Sequence, residues 1–327
     1  MEFRTELKRS DKQLTISYND KILLVGSCFS DSVGNILKTN QFQTSVNPFG
    51  TVFNPLIICK LLINAIDQVT YTPDGLGQQN GLFFHYDFHS KFSSEKSAKT
   101  IKMMNKASQK SGKFLRKSNF LILTLGSAIG YYLNSNGQIV GNCHKVPAKE
   151  FTKRLIQLQD MIKAFDDLIK KIYQVNSEIK ILFTVSPVRH TREGLVNNSL
   201  SKARLLELAH HLTNIYDSVY YFPSYEIMMD DLRDYRFYQK DLIHPNGMAV
   251  DYIFKIFKDW YFSDSTTERL KKVEKILQSA AHKSQQASSA NHQAFLKDLI
   301  DRIKTLEKEF GRSLFKKEKK TINRQLV

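Results

Sequence analysis

Short apolar runs alternating with long helical patterns constrain this chain more than any other feature. The runs are rich in β-branched residues and end at glycine or polar punctuation, as buried strands do. They are Lys21–Val25, Phe120–Leu125, Lys180–Val185 and Ser218–Phe222. Helical spacing occupies Ser30–Lys38, Glu95–Lys117, Phe151–Val175, Leu200–Ile215 and Gly247–Tyr261. In the third of these, Leu155, Leu158, Ile162, Phe165, Ile169 and Ile172 lie on one stripe. Buried strands alternating with long helices predict an α/β fold, a mainly parallel sheet covered on both faces. Ligands of such sheets gather at the carboxyl ends of the strands. That rule directs attention to Gly26-Ser27-Cys28-Phe29, Gly126-Ser127-Ala128, Ser186-Pro187-Val188-Arg189-His190 and Pro223-Ser224-Tyr225-Glu226.

The chain has 327 residues, enough for one large domain or two small ones. Near Thr266 the composition shifts, and Leu296, Leu299, Ile303, Leu306 and Phe310 then step by three and four, a narrow helical seam. The expected organisation is an α/β domain over residues 1–262 and a basic helical tail over 263–327. The tail reads as an antiparallel helix pair joined through Ser284–Ser289, packed on the domain or associating with a partner or second copy. With 42% hydrophobic residues the chain is not a disordered one. No stretch approaches the roughly 20 apolar residues of a membrane span. Met1–Lys8 includes acidic positions and leads into no apolar core, so a secretory signal is not expected. Three cysteines make no disulfide framework, which points to a reducing, cytoplasmic setting.

The formal net charge is +16. Lys91–Lys117 carries a balance of +8 and Tyr261–Val327 one of +7, leaving about +1 elsewhere. The first segment reads as a helix with a solvated lysine face and with Ile101, Met104, Ala107 and Phe114 turned inward. It lacks interleaved aromatics and base-reading arginines, so nucleic acid is not an expected partner.

Chemistry concentrates in two places. Cys28 stands where the first strand feeds a helix, whose free N–H groups favour negative charge. A thiol there is expected to have a lowered pKa and to act as a nucleophile; the competing reading is a small buried hydrophobe. Asp241-Leu242-Ile243-His244-Pro245 offers a carboxylate three residues before an imidazole, the arrangement of an oriented general base. Elsewhere, Arg189-His190 would hold an anionic substrate group or cap its loop, and His89-Ser90 would line the pocket. Glu226, Asp230, Arg233 and Asp234 read as a structural ion-pair network. His85-x₃-His89 and Cys143-His144 lack the accompanying motifs of a zinc site, so no metal is expected. No phosphate-binding glycine loop opens a helix, so no cofactor is expected either.

Gly26-Ser27-Cys28-Phe29-Ser30 resembles the signature of the GSCFA family, whose name spells that motif. Further stretches resemble its other blocks: 47–55 (NPFGTVFNP), Phe88-His89-Ser90, 123–128 (LTLGSA), 142–147 (NCHKVP), 184–190 (TVSPVRH), Leu200-Ser201-Lys202-Ala203, and 221–230 (YFPSYEIMMD) running on to His244-Pro245. The resemblance spans roughly residues 15–262. It implies likeness to the SGNH (GDSL-like) hydrolases: esterases, deacetylases and acyltransferases on a flavodoxin-like three-layer α/β/α domain. On that likeness Cys28 takes the nucleophile's place in the first block, with Ser27 a rival, and Asp241 and His244 complete the triad. Gly50 fills the glycine role of the oxyanion hole. The third block, Gly126-Ser127-Ala128-Ile129, lacks the usual Asn, and Asn142 or His144 is the expected replacement. Loss of one such donor typically costs about 100- to 1,000-fold in rate. The implied function is an esterase or acyltransferase passing through an acyl-enzyme, on a small-molecule, glycan or lipid ester. The alternative is a catalytically altered domain serving as an adaptor for an acidic polymer.

Overall fold

The structure, a computed structural model, describes residues 4–9, 12–282 and 288–326. The chain enters through β1 (Lys21–Gly26), and Ser27 caps the following α1 (Cys28–Thr39) by accepting the Phe29 N–H on its hydroxyl. An edge strand, β2 (Gln43–Val46), precedes α2 (Pro55–Ile66), which combines an Asn54 cap with proline in its first turn. A small hairpin of β3 (Gly77–Gln79) and β4 (Leu82–Phe84) leads to α3 (Ser97–Leu115) and then β5 (Phe120–Leu125). Next come β6 (Ile129–Leu133), β7 (Ile139–Val140) and β8 (Phe151–Leu155), which form a separate antiparallel sheet. The domain continues with α4 (Leu158–Val175), β9 (Lys180–Val185), α5 (Leu195–Ile215), β10 (Val219–Tyr221), a single turn α6 (Ser224–Glu226) and α7 (Gly247–Tyr261). Three helices follow: α8 (Asp264–Ala281), α9 (Ala290–Phe310) and α10 (Lys316–Asn323).

The main sheet runs β2-β1-β5-β9-β10 with every pair parallel, the flavodoxin-like order in which the strands read 2-1-3-4-5. Strand periodicity sorts the core into two layers. Leu23, Val25, Leu121, Leu123, Leu125, Ile181, Phe183 and Val185 face the layer of α2, α3, α4 and α5. Ile22, Leu24, Phe120, Ile122 and Leu182 face α1, α7 and the C-terminal helices. The architecture is therefore a three-layer α/β/α domain with a C-terminal helical extension.

Within the α/β domain two expectations give way. The helix expected over Phe151–Val175 begins only at Leu158, because Phe151–Leu155 pairs with Ile129–Leu133 as a strand. The lysine-rich helix α3 buries Thr100, Met104, Ser108, Ser111, Gly112 and Leu115, and of the expected inward stripe only Met104 is fully enclosed. Small residues serve that face because the two helices touch: a Cβ on Gly112 would lie 2.1 Å from the Ala65 carbonyl oxygen of α2.

Among the described residues the tail holds three helices rather than two. Its seam residues Leu296, Leu299, Ile303, Leu306 and Phe310 are buried in the same cluster as Ile22 and Leu24, so the seam packs on its own chain. Tyr18 stacks on Phe42 with centroids 4.0 Å apart and meets the edge of Phe310 at 4.9 Å. The Arg312 guanidinium donates to the Tyr18 and Gln41 carbonyls at 3.3 and 2.7 Å. Of the expected connector, residues 284–287 lie outside the described residues. No helix among the described residues is long and apolar enough to cross a membrane.

Candidate active site

The carboxyl edge of the main sheet gathers most of the expected residues. At the end of β1, Gly26 adopts φ +154° with its Cα against the Thr124 backbone, an approach that leaves no room for a side chain. Asn47 clamps this turn from the side: its Oδ1 accepts the Gly26 N–H at 2.9 Å and its Nδ2 donates to the Ser27 carbonyl at 3.3 Å. Ser27 is only 2% exposed, and its hydroxyl donates to Ser186 Oγ at 2.9 Å while accepting the Phe29 N–H. Cys28, the first residue of α1, is half-buried with a free thiol.

The expected lowering of the Cys28 pKa is overturned. Burial, helped by the Asp31 carboxylate one helical turn on, pushes the thiol up. The N–H groups of Cys28 and Phe29 and the charge of Lys202 oppose this without prevailing. The helix start thus acts in the expected direction, and desolvation outweighs it.

Asp241 and His244 meet as expected, in the loop before α7. Asp241 Oδ1 accepts the N–H groups of Ile243 and His244 at 2.9 and 3.1 Å, and its Oδ2 lies 2.7 Å from His244 Nδ1. These bonds, the His244 side chain first, hold the Asp241 carboxyl down to about 2. The remaining imidazole nitrogen, Nε2, makes no hydrogen bond among the described residues, and none joins His244 to Cys28. Catalytic hydrogen bonds often tighten only once substrate is bound.

Arg189 sits beside this pair rather than in open solvent. Its N–H donates to Ile243 O at 3.1 Å and its guanidinium to Leu242 O at 3.0 Å, while Tyr235 and Tyr238 flank the cation at 5.8 and 5.6 Å. Leu242 adopts φ +57°, an uncommon conformation for a branched residue, so the turn presenting His244 is held from outside.

Gly50 lies in the turn after β2 with φ +81°, its Cα so near His89 that a Cβ would fall 2.2 Å from the His89 Cβ. Its N–H donates to Asn47 O at 2.8 Å, so in this geometry it has no proton to offer an oxyanion. Lys91 Nζ reaches the same carbonyl at 3.2 Å. His89 Nδ1 accepts the Lys91 N–H, and burial, then the Lys91 charge, lowers the His89 pKa. Ser90 is exposed at the start of the short helix that follows.

Asn142 and His144 belong to the loop between β7 and β8. Asn142 Oδ1 accepts the His144 N–H at 2.8 Å, and His144 Nε2 lies 3.0 Å from the His85 carbonyl with its ring stacked on Phe84. Both residues thus bind their own loop to the hairpin; Asn142 Nδ2 alone makes no hydrogen bond among the described residues. No three His, Cys, Asp or Glu side chains converge as metal ligands among the described residues.

The expected ion-pair network ahead of His244 takes another form. Glu226 accepts from the Tyr221 hydroxyl, Asp234 pairs with Arg236, and the buried acid is Asp231, held by Tyr252 and Arg4.

What Lys202 and His190 meet emerges only with the fold. Lys202 Nζ, on α5, is buried between the Gly126 and Ser186 carbonyls at 2.8 and 2.6 Å. His190 lies against Phe53 with its Nε2 buried and unpartnered; burial, then the charges of Lys202, His244 and Arg192, lower its pKa to about 3. The trace of Lys202 in the sequence is its phase, since it falls on the stripe of Leu205, Leu208, Ala209 and Leu212 that α5 buries.

Comparison with known proteins adds the following. The model of the GSCFA family matches residues 21–257, and that of the GSCFA domain protein, C-terminal domain, matches residues 273–327. A search of curated proteins found no match. Among solved structures, the chain is similar to the Clostridium thermocellum family 3 carbohydrate esterase at 10% identity and TM-score 0.35, covering 77% of this chain and 97% of that one. It is also similar to a "putative acylhydrolase" from Bacteroides fragilis at 8% identity and TM-score 0.37, covering 80% and 92%.

Proposed function

The chain belongs to the GSCFA family, and from that membership we propose that it is an esterase or acyltransferase of SGNH-like kind, working through an acyl-enzyme. The observation that carries this reading is the oriented Asp241–His244 pair at the same sheet edge as a half-buried thiol on a helix start. His244 takes the Cys28 proton on Nε2 while Asp241 fixes the opposite nitrogen as the donor. The thiolate attacks the ester carbonyl, the alkoxide leaves with the proton from His244, and water or an acceptor alcohol then cleaves the thioester. Which of the two accepts the acyl group decides between hydrolase and transferase.

Two observations favour Cys28 over Ser27 as nucleophile. The Ser27 hydroxyl is buried and already engaged with Ser186 and the Phe29 N–H, whereas the Cys28 thiol is only half-buried and meets no side-chain hydrogen-bond partner among the described residues. Its own backbone N–H, first in α1, is the oxyanion donor this geometry offers. Arg189 acts in this scheme as a positioning residue for the base.

Acylation by an activated thioester, read by mass spectrometry on wild type, Cys28→Ala, Ser27→Ala and His244→Ala, tests the reading. Labelling should vanish in Cys28→Ala, fall at least about 100-fold in His244→Ala and persist in Ser27→Ala. Equal labelling of all four proteins sinks it. If none is labelled while salt-sensitive retention on an anionic polysaccharide is strong, the adaptor reading takes its place.

A further inference from the structure

We propose that Lys202, buried beneath the nucleophile turn, is the countercharge of the Cys28 thiolate, and that the two side chains ionise as one pair.

Lys202 is 1% exposed, and an ammonium group so enclosed ordinarily faces a carboxylate. Here no carboxylate is within ion-pair distance among the described residues. Its polar partners are two carbonyl oxygens, those of Gly126 beyond β5 and Ser186 beyond β9, with the Tyr225 ring 5.7 Å from the charge. Two acceptors leave one ammonium proton without a partner and the charge without an anion beside it. The same Ser186 that accepts from Lys202 through its carbonyl accepts from Ser27 through its hydroxyl at 2.9 Å. Two residues thus separate the buried cation from the thiol, and the charges of Cys28 and Lys202 act on one another. A cation held without an anion, two residues from the atom that becomes anionic in acyl transfer, is placed to stabilise that anion. Being buried, Lys202 touches no substrate; it is a positioning residue.

The ionisable groups around the pair are few. Asp31 on α1 bears on Cys28, His190 after β9 feels Lys202, and Tyr225 on α6 lies over it. Burial lowers Lys202 to about 7 and raises Cys28 above the ordinary thiol range. A pair so disposed has a diagnostic titration. Once Lys202 loses its proton near 7, the dominant form is thiol plus amine. The reactive form, thiolate plus ammonium, holds the same number of protons, so its share stops changing with pH.

This inference rests on Cys28 as the nucleophile only for its purpose; the coupling itself is read from a simple alkylation. Iodoacetamide reacts with the thiolate, forming the S–C bond and releasing iodide, and mass spectrometry of the Cys28 peptide separates it from Cys59 and Cys143. Rates are measured from pH 6 to 10 in the full chain and in His244→Ala, which removes the other base assigned to Cys28. In both, the rate should climb tenfold per pH unit to about 7, level off, and climb again. In Lys202→Met the plateau should vanish, and the rate at pH 6.5 should fall on the order of tenfold. Lys202→Arg, charged throughout, should show no plateau and react faster than wild type above pH 8. Superimposable profiles for wild type and Lys202→Met, or a wild-type profile without a plateau, overturn the pairing. If Lys202→Met does not fold, the wild-type profile against that of Lys202→Arg decides. An acyl probe that labels Ser27 instead of Cys28 would remove the proposed nucleophile while leaving this coupling measurable.

Discussion

Burying an ammonium group without a carboxylate costs several kcal/mol, yet Lys202 is enclosed by carbonyls and an aromatic ring. Its lowered pKa makes stability depend on pH in a definite direction. Between about 7 and the unfolded value of 10.5 the unfolded chain holds the lysine proton and the native one does not. Stability attributable to this group therefore rises with pH through that window, by on the order of 5 kcal/mol in total. Urea denaturation of wild type at pH 7 and pH 9.5 should show that rise, and Lys202→Met should flatten it. An equal pH slope in the two proteins contradicts the buried charge. Lys202 was partly legible beforehand, because its phase on the leucine stripe of α5 marks an inward side chain. What it meets there was not, since Gly126 and Ser186 come from loops 76 and 16 residues away. The same division runs through the nucleophile turn. The motif announced Cys28, but whether burial or the helix start governs its ionisation depends on neighbours that only folding assembles.

The elements differ in how openly the sequence declared them. Phe120–Leu125, Lys180–Val185 and Gly247–Tyr261 stand as the apolar pattern placed them. Buried on both faces or strongly periodic, they owe little to remote partners. Phe151–Leu155 became a strand because Ile129–Leu133 supplies its ladder, and with Thr152, Lys153 and Arg154 all exposed it carries little apolar signal of its own. The loop carrying Asp241 and His244 is set in the same non-local way. Its D-x-x-H step was readable, but the Arg189 bonds to Leu242 and Ile243 that hold it reach from the end of β9. Arg189→Ala should therefore lower labelling by the activated thioester roughly 10- to 100-fold, since a misplaced catalytic group costs rate steeply. Its effect on the melting temperature should be small, because the side chain is half-exposed. Labelling that falls only in proportion to lost folded protein would show that the arginine merely stabilises.

Across the whole molecule the +16 charge resolves into two lysine-bearing surfaces, α3 and the tail, while the site depends on a lysine that is not at the surface at all. The tail is also the cover for one face of the sheet. Leu270, Val273, Leu299, Ile303 and Phe315 share a cluster with Ile22, Leu24 and Phe120. We propose that residues 1–262 and 263–327, despite their different composition, unfold as one cooperative unit. A chain ended after Phe262 should bind a hydrophobic dye, aggregate and lose its melting transition, whereas a well-melting, soluble 1–262 fragment would make the tail an independent addition.

That shared cover has a consequence in time. The first strand of the sheet leaves the ribosome some 240 residues before the helices that shield its outer face. At roughly 5–20 residues per second the interval is tens of seconds. Throughout it Ile22 and Leu24 have α1 but neither α7 nor the tail over them, so the nascent chain must be kept from wrong partners until its own later residues arrive.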